Sequence, residues 1–110
     1  MGTTKTEHFS ANQNQIATML KALGHPARIA ILEFLMKVDS CICGDIVSEL
    51  PLAQPTISQH LKELKNAGLI KGTIEGTAIC YCIDEKAIEV LKVYFSTIAD
   101  GLESKQKNCC

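Results

Sequence analysis

The stretch GDIVSELPLAQPTISQHLKELKNAGL, Gly44–Leu69, decides how this chain is read. Ile57, Leu61 and Leu64 recur at spacings of four and three, the apolar stripe of an amphipathic helix over about 54–67. Pro55 suits a first turn, where a backbone N–H has no partner within the helix. Gly68 followed by apolar Leu69 suits the left-handed residue just past a helix end. Ahead of this, Ile46, Val47 and Leu50 give the buried side of a short helix from about Gly44 to Leu50, broken by Pro51-Leu52-Ala53. Two helices joined by three residues are therefore expected. The second leaves Gln54, Thr56, Ser58, Gln59, Lys62 and Lys65 on its outer face or flanks.

Downstream, Leu69–Ile74 and Thr77–Ile83 read as two strands joined by a tight turn at Glu75-Gly76. A last helix follows from about Asp84 to Leu102. In it Ile88, Leu91, Phe95, Ile98 and Leu102 fall at spacings of three, four, three and four, a coiled-coil-like seam. Packing on its own domain would produce the same pattern, but Val90, Val93 and Tyr94 widen the apolar surface beyond what a small domain covers, which favours a homodimer. Upstream, Ile16, Met19, Leu20 and Leu23 mark a helix ended by Gly24, and Pro26 opens another whose buried face is expected at Ile29, Leu32, Leu35 and Met36. Ser40–Cys43 reads as a brief strand.

The resulting fold class is mainly α with a small β-hairpin wing: a winged helix-turn-helix of five helices. Residues 1–8 and 105–110 are expected as tails around one domain over 9–104, with the helix-turn-helix at 44–67 and the wing at 69–83.

A chain of 110 residues suits a single domain, and 46% hydrophobic residues with 5% aromatics and no Trp imply an aliphatic core. The net charge of −1 supplies no general attraction to nucleic acid, so any basic surface must be local. No run of 18 apolar residues suggests a membrane span, and the polar first 15 residues lack a signal-peptide core, so a cytoplasmic protein is expected. There is no Gly-rich phosphate loop, no G-X-S-X-G and no HEXXH, and His8, His25 and His60 lie far apart. An enzyme is not expected.

The outer stripe of 54–67 has the right chemistry for DNA. Gln makes paired bonds to adenine, Ser and Thr reach bases or phosphates, and Lys62 and Lys65 neutralise phosphates. Glu63 opposes this and should point away. In the hairpin, Lys71, Thr73, Glu75 and Thr77 are the polar positions near the tip; Lys71 and Thr73 are expected to touch the adjacent backbone or minor groove, with clear attraction from Lys71 alone. A merely solvated polar face is the competing reading, and the preceding turn and following hairpin favour DNA. His60, beside Ile57 and Leu61, is expected at the core edge or on a phosphate rather than as a catalyst or metal ligand.

Three segments carry a resemblance to the ArsR/SmtB family of winged-helix metalloregulators: Leu20–Ala30 (LKALGHPARIA), Gly44–Leu69 and Gly76–Ile83 (GTAICYCI). The most specific part is QPTISQHL at 54–61 with AGL at 67–69, and the likeness spans roughly residues 16–100. The resemblance implies a homodimer through the first and last helices, with Ile16, Leu20, Leu91, Phe95, Ile98 and Leu102 as its contacts. It also implies repression by binding double-stranded operator DNA, relieved by an inducer. Two departures stand out. Ala53 occupies the place where Ser or Thr often caps the second helix, a loss of about 1 kcal/mol. The cysteine usual shortly before Gly-Asp is here Ile42, flanked by Cys41 and Cys43, and the last helix has no His for the family's other metal site.

Six cysteines occur as Cys41/Cys43, Cys80/Cys82 and Cys109/Cys110. Residues two apart in a strand share a face. If the short strand pairs with the hairpin's second strand, Cys41, Cys43, Cys80 and Cys82 come together. Four thiolates suit Zn²⁺ or another soft ion; three suit an arsenic-type inducer, as the resemblance implies. A reversible disulfide and plain burial as small hydrophobes remain open. The expected function is a DNA-binding transcriptional repressor released by a thiol-reactive or soft-metal inducer. The alternatives are a thiol redox or metal-handling protein, or a winged-helix protein-interaction module, neither binding DNA.

Overall fold

A hydroxyl starts the first helix. Ser10 Oγ accepts from the Gln13 backbone N–H at 3.0 Å, and Gln13 Oε1 accepts from the Ser10 N–H at 3.0 Å. This reciprocal cap satisfies two donors that a helix start leaves unpaired. The computed structural model describes residues 7–37, 42–43, 50–75 and 78–105. Its elements in chain order are α1 (Ala11–Leu23), α2 (Pro26–Lys37), β1 (Ile42–Cys43), α3 (Gln54–Asn66), β2 (Ile70–Glu75), β3 (Ala78–Ile83) and α4 (Glu85–Lys105). The described residues hold four helices, not the five expected. The helix expected from about Gly44 to Leu50 falls on residues 44–49, outside the described ones, apart from Leu50.

α1 buries Ile16, Met19 and Ala22. It ends at Gly24, whose N–H reaches the Lys21 carbonyl at 3.3 Å. His25 then caps α2 twice: its carbonyl accepts from Arg28 and Ile29, and its ring Nδ1 accepts from the Ala27 N–H at 3.1 Å. In α2 the buried residues are Ile31 and Leu35. Here the sequence expectation needs correcting, because Ile29 is 44% exposed and Met36 70% exposed. This helix is apolar nearly all round, so periodicity could not say which side faces inward.

α3 is closed as its sequence foretells. Gly68 sits at φ +82°, its N–H bonds the Lys65 carbonyl at 3.0 Å, and the Leu69 N–H bonds the Leu64 carbonyl at 3.0 Å. These two bonds form the paired closure of a Schellman motif. The chain passes directly into a three-stranded antiparallel sheet of order β1-β3-β2. Ile70 pairs with Ile83, Lys71 with Cys82, Gly72 with Tyr81 and Thr73 with Cys80. The wing tip at 76–77 lies outside the described residues.

The fully buried Ile31, Ile57, Leu64 and Leu69 join α2, α3 and the hairpin in one aliphatic core, which Ile16 and Met19 of α1 and Ala87 and Leu91 of α4 complete. Asp84 starts α4 by accepting from the Lys86 N–H on its carboxylate at 3.0 Å. After Tyr94 the helix leaves the domain: every residue from Phe95 to Lys105 is exposed. Among the described residues no helix is long and apolar enough to cross a membrane.

Candidate nucleic-acid interface

The two sides of α3 are sharply different. Ile57, His60, Leu61 and Leu64 are buried, while Gln54, Thr56, Ser58, Gln59, Lys62 and Lys65 are exposed. The inward side is pinned by the aliphatic core, so the outward side is presented rigidly rather than on a loop. The helix start carries no side-chain cap, as Ala53 implies, and Pro55 occupies its first turn.

One outward group is already engaged. Gln59 Nε2 donates to Glu63 Oε2 at 2.9 Å, an i, i+4 pair on one helix face. Glu63 is half-buried rather than simply turned away. The sequence reading set Glu63 aside as unhelpful charge and missed that it holds the amide expected to read a base.

β2 presents Lys71 and Thr73, both exposed. Between them, Gly72 lies next to the end of α3: a Cβ there would stand 3.5 Å from Lys65 Cδ and 3.3 Å from Tyr81 Cε1. Lys65 of α3 thus lies against the Gly72 side of β2, while Lys71 and Thr73, one residue to either side, project from the other face of the sheet.

Cys80 and Cys82 stand opposite Thr73 and Lys71 in the sheet and share their face. Cys80 is fully buried, Cys82 is half-buried, and both are disulfide-bonded. The expected pairing of the short strand with the second hairpin strand is present, and the backbone register sets Cys43 opposite Cys80. Cys41, Cys109 and Cys110 fall outside the described residues. A disulfide sulfur is not a thiolate ligand, and among the described residues no three His, Cys, Asp or Glu side chains are grouped to hold a metal ion. As bonded, Cys80 and Cys82 offer no thiolate to Zn²⁺ or an arsenic-type ion.

Of the residues expected in a dimer contact, Ile16 and Leu91 belong to this protomer's own core, whereas Leu20, Phe95, Ile98 and Leu102 are exposed, with Ile88 and Val93 beside them.

His60 sits at the core edge, only 7% exposed, in contact with two partners from the α1–α2 corner. Its Nδ1 accepts from Arg28 Nε at 3.0 Å, and its ring lies 4.5 Å from that of His25, tilted by 56°. Arg28 Nη1 also donates to the Ala22 carbonyl of α1 at 3.2 Å. Burial, then the nearby His25, then Arg28 push the His60 pKa below its ordinary 6.5. Arg28 was missed by sequence reasoning; it meets His60 across 32 residues of chain, and no local pattern announces such a pair. Among the described residues no buried side-chain N or O lacks a partner.

Residues 25–71 match the model of a family described as bacterial regulatory protein, arsR family. The HTH-type transcriptional regulator MJ1325 of Methanocaldococcus jannaschii is 43% identical over 79 residues, covering 70% of this chain and 88% of that one. The arsenical resistance operon repressor of Staphylococcus xylosus is 26% identical over 95 residues, covering 86% of each. The solution structure of Mb0332 from Mycobacterium bovis, described as a homodimeric winged helix-turn-helix DNA-binding domain, superposes with a TM-score of 0.63 at 30% identity over 82% of both chains. With likenesses that span most of its length, and with the two-sided α3 and the wing in place, this chain belongs to the ArsR family of winged helix-turn-helix transcriptional regulators.

Proposed function

We propose that this chain is a transcriptional repressor that binds double-stranded operator DNA as a homodimer. The observation that carries the reading is the exposed polar face of α3, backed by a pinned aliphatic core and followed directly by the hairpin on which Lys71 and Thr73 are exposed. In this reading α3 enters the major groove, where Thr56, Ser58 and Gln59 meet base edges. Gln54 lies at its leading end, Lys62 and Lys65 take phosphates, and Lys71 and Thr73 touch the flanking backbone. Two copies join through α1 and α4, burying Leu20, Phe95, Ile98 and Leu102. Mb0332 is described as homodimeric, and the exposed apolar seam of α4 supports the same state here.

Release from DNA is assigned to a thiol-reactive inducer, or to a soft metal acting on reduced cysteines. What supports this is position: Lys71 and Thr73 of the wing stand directly opposite Cys82 and Cys80 in the sheet. A change at the sulfurs is felt one strand away from the phosphate contacts. The disulfide bonding of Cys80 and Cys82 also favours a second reading, a thiol redox or metal-handling protein without DNA binding.

Mobility shift across a salt series separates the two. The repressor reading expects binding that weakens steeply with salt. Lys62→Ala should lower affinity and reduce the slope of log affinity against log salt by about one for each phosphate that a protomer no longer neutralises. Gln59→Ala should relax sequence preference. Wild-type protein indifferent to duplexes at low salt would sink the repressor reading and leave the readings without DNA binding.

A further inference from the structure

The contact between Arg28 and His60 has a chemical condition built into it. A guanidinium is always protonated and only donates. Its bond to His60 Nδ1 therefore exists only while that nitrogen carries a lone pair, which makes His60 neutral with its proton on Nε2. Arg28 holds the other end of the arrangement too, through the Ala22 carbonyl at the end of α1. His25 closes the third side: its Nδ1 is committed to capping α2, and its ring leans on that of His60. Three elements thus meet at one histidine of α3. The residues next to it along the chain, Gln59 and Ser58, are exposed, and so is Thr56, one turn back.

We propose that Arg28 is a positioning residue for DNA binding: by donating to a neutral His60 it fixes the orientation of α3, so that protonating His60 releases the helix and weakens the operator complex. The inference rests on the repressor reading above. A proton on Nδ1 would set donor against donor and cation against cation at 3.0 Å, and the pair separates. Among the described residues the groups that act electrostatically on His60 are His25 and Arg28, both of which oppose its protonation, so the break belongs to acidic conditions. A small tilt of α3 is costly to base contacts, which need near-ideal hydrogen-bond geometry. It matters far less to phosphate contacts made by flexible lysines.

The test uses full-length protein and a duplex enriched from a random-sequence pool by the wild type at neutral pH. Binding is followed by fluorescence anisotropy from about pH 7.5 to about pH 5 at fixed salt, with an unrelated duplex as control. The wild type should lose affinity for the enriched duplex as pH falls, at a limiting rate of about tenfold per pH unit per protomer once His60 begins to titrate. The unrelated duplex should show no such loss. Arg28→Ala and His60→Ala should both weaken enriched-duplex binding at neutral pH. His60→Asn places an amide oxygen near the position of Nδ1, accepts from Arg28 at any pH, and should rescue that binding while flattening the pH profile. Arg28→Lys keeps the charge but not the two directed bonds, and should behave as Arg28→Ala even if the alanine variant folds poorly. A His60→Asn profile as steep as wild type, or folded Arg28→Lys binding as wild type, overturns the proposal. Failure of the wild type to bind any duplex at any pH would instead sink the repressor reading on which it stands.

Discussion

Replacing Gly68 by Ala isolates the conformational requirement at the junction between α3 and the wing. Gly68 holds φ at +82°, and a Cβ built there meets nothing within 4 Å. No clash contributes, so the change in stability reduces to two backbone terms. Placing an L-residue in the left-handed region costs about 1–2 kcal/mol, while removing glycine's freedom from the unfolded chain returns about 0.4–1 kcal/mol. Their central values, about 1.5 and about 0.7 kcal/mol, leave a net destabilisation of about 0.8 kcal/mol. Asn tolerates this region better than Ala, so Gly68→Asn should be the milder change, and β-branched Gly68→Val the most severe. Urea unfolding at one fixed protein concentration measures it, since association shifts apparent stability by mass action. The midpoint should drop with the slope unchanged, because the surface exposed on unfolding is the same. Gly68→Ala as stable as wild type, or Gly68→Asn less stable than Gly68→Ala, would refute the assignment of a strained left-handed cap.

Three further outcomes are expected. Glu63→Gln removes a negative charge beside the phosphates and weakens the hold on Gln59, and should tighten DNA binding two- to fivefold at low salt, ~0.4–1 kcal/mol, read by anisotropy. Phe95→Glu should convert the proposed dimer to monomer by light scattering, raising the dissociation constant by at least about a hundredfold, since an unpaired carboxylate in an apolar contact costs several kcal/mol. Because burial, His25 and Arg28 hold the His60 pKa below 6.5, the unfolded chain takes up that proton first as the solution is acidified. The stability is therefore fully present above pH 6.5 and is lost as pH falls toward the folded-state value; denaturant midpoints against pH should show this, and His60→Asn should remove that component.

The parts of the fold that local chemistry determines could be read from the sequence. The stripe of Ile57, Leu61 and Leu64 gave the inward side of α3, and Gly68-Leu69 gave its end, because each depends on neighbours within one or two turns. The α2 face could not be read, since Ile29, Ile31, Leu35 and Met36 are equally apolar and only the packing of α1, α3 and the hairpin selects Ile31 and Leu35. The i+2 spacing put Cys80 and Cys82 on one face of the strand, but their oxidation state is a property of contacts and environment, not of spacing. On the candidate interface the exposed residue types of α3 were legible, while the contacts that restrain this helix, Glu63 on Gln59 and Arg28 on His60, arise from side-chain reach that no periodicity encodes.

The free end of α4 has a consequence for how much of this protein is in working form. From Phe95 to Lys105 the helix is exposed along its whole length in the protomer, and a stretch of that length is only marginally helical alone in water. In the proposed dimer its order would be supplied by a second copy, so winding of the last three turns and pairing of subunits become a single concentration-dependent event. The cell's level of the protein then sets both how many reading heads exist and how firmly each pair is joined.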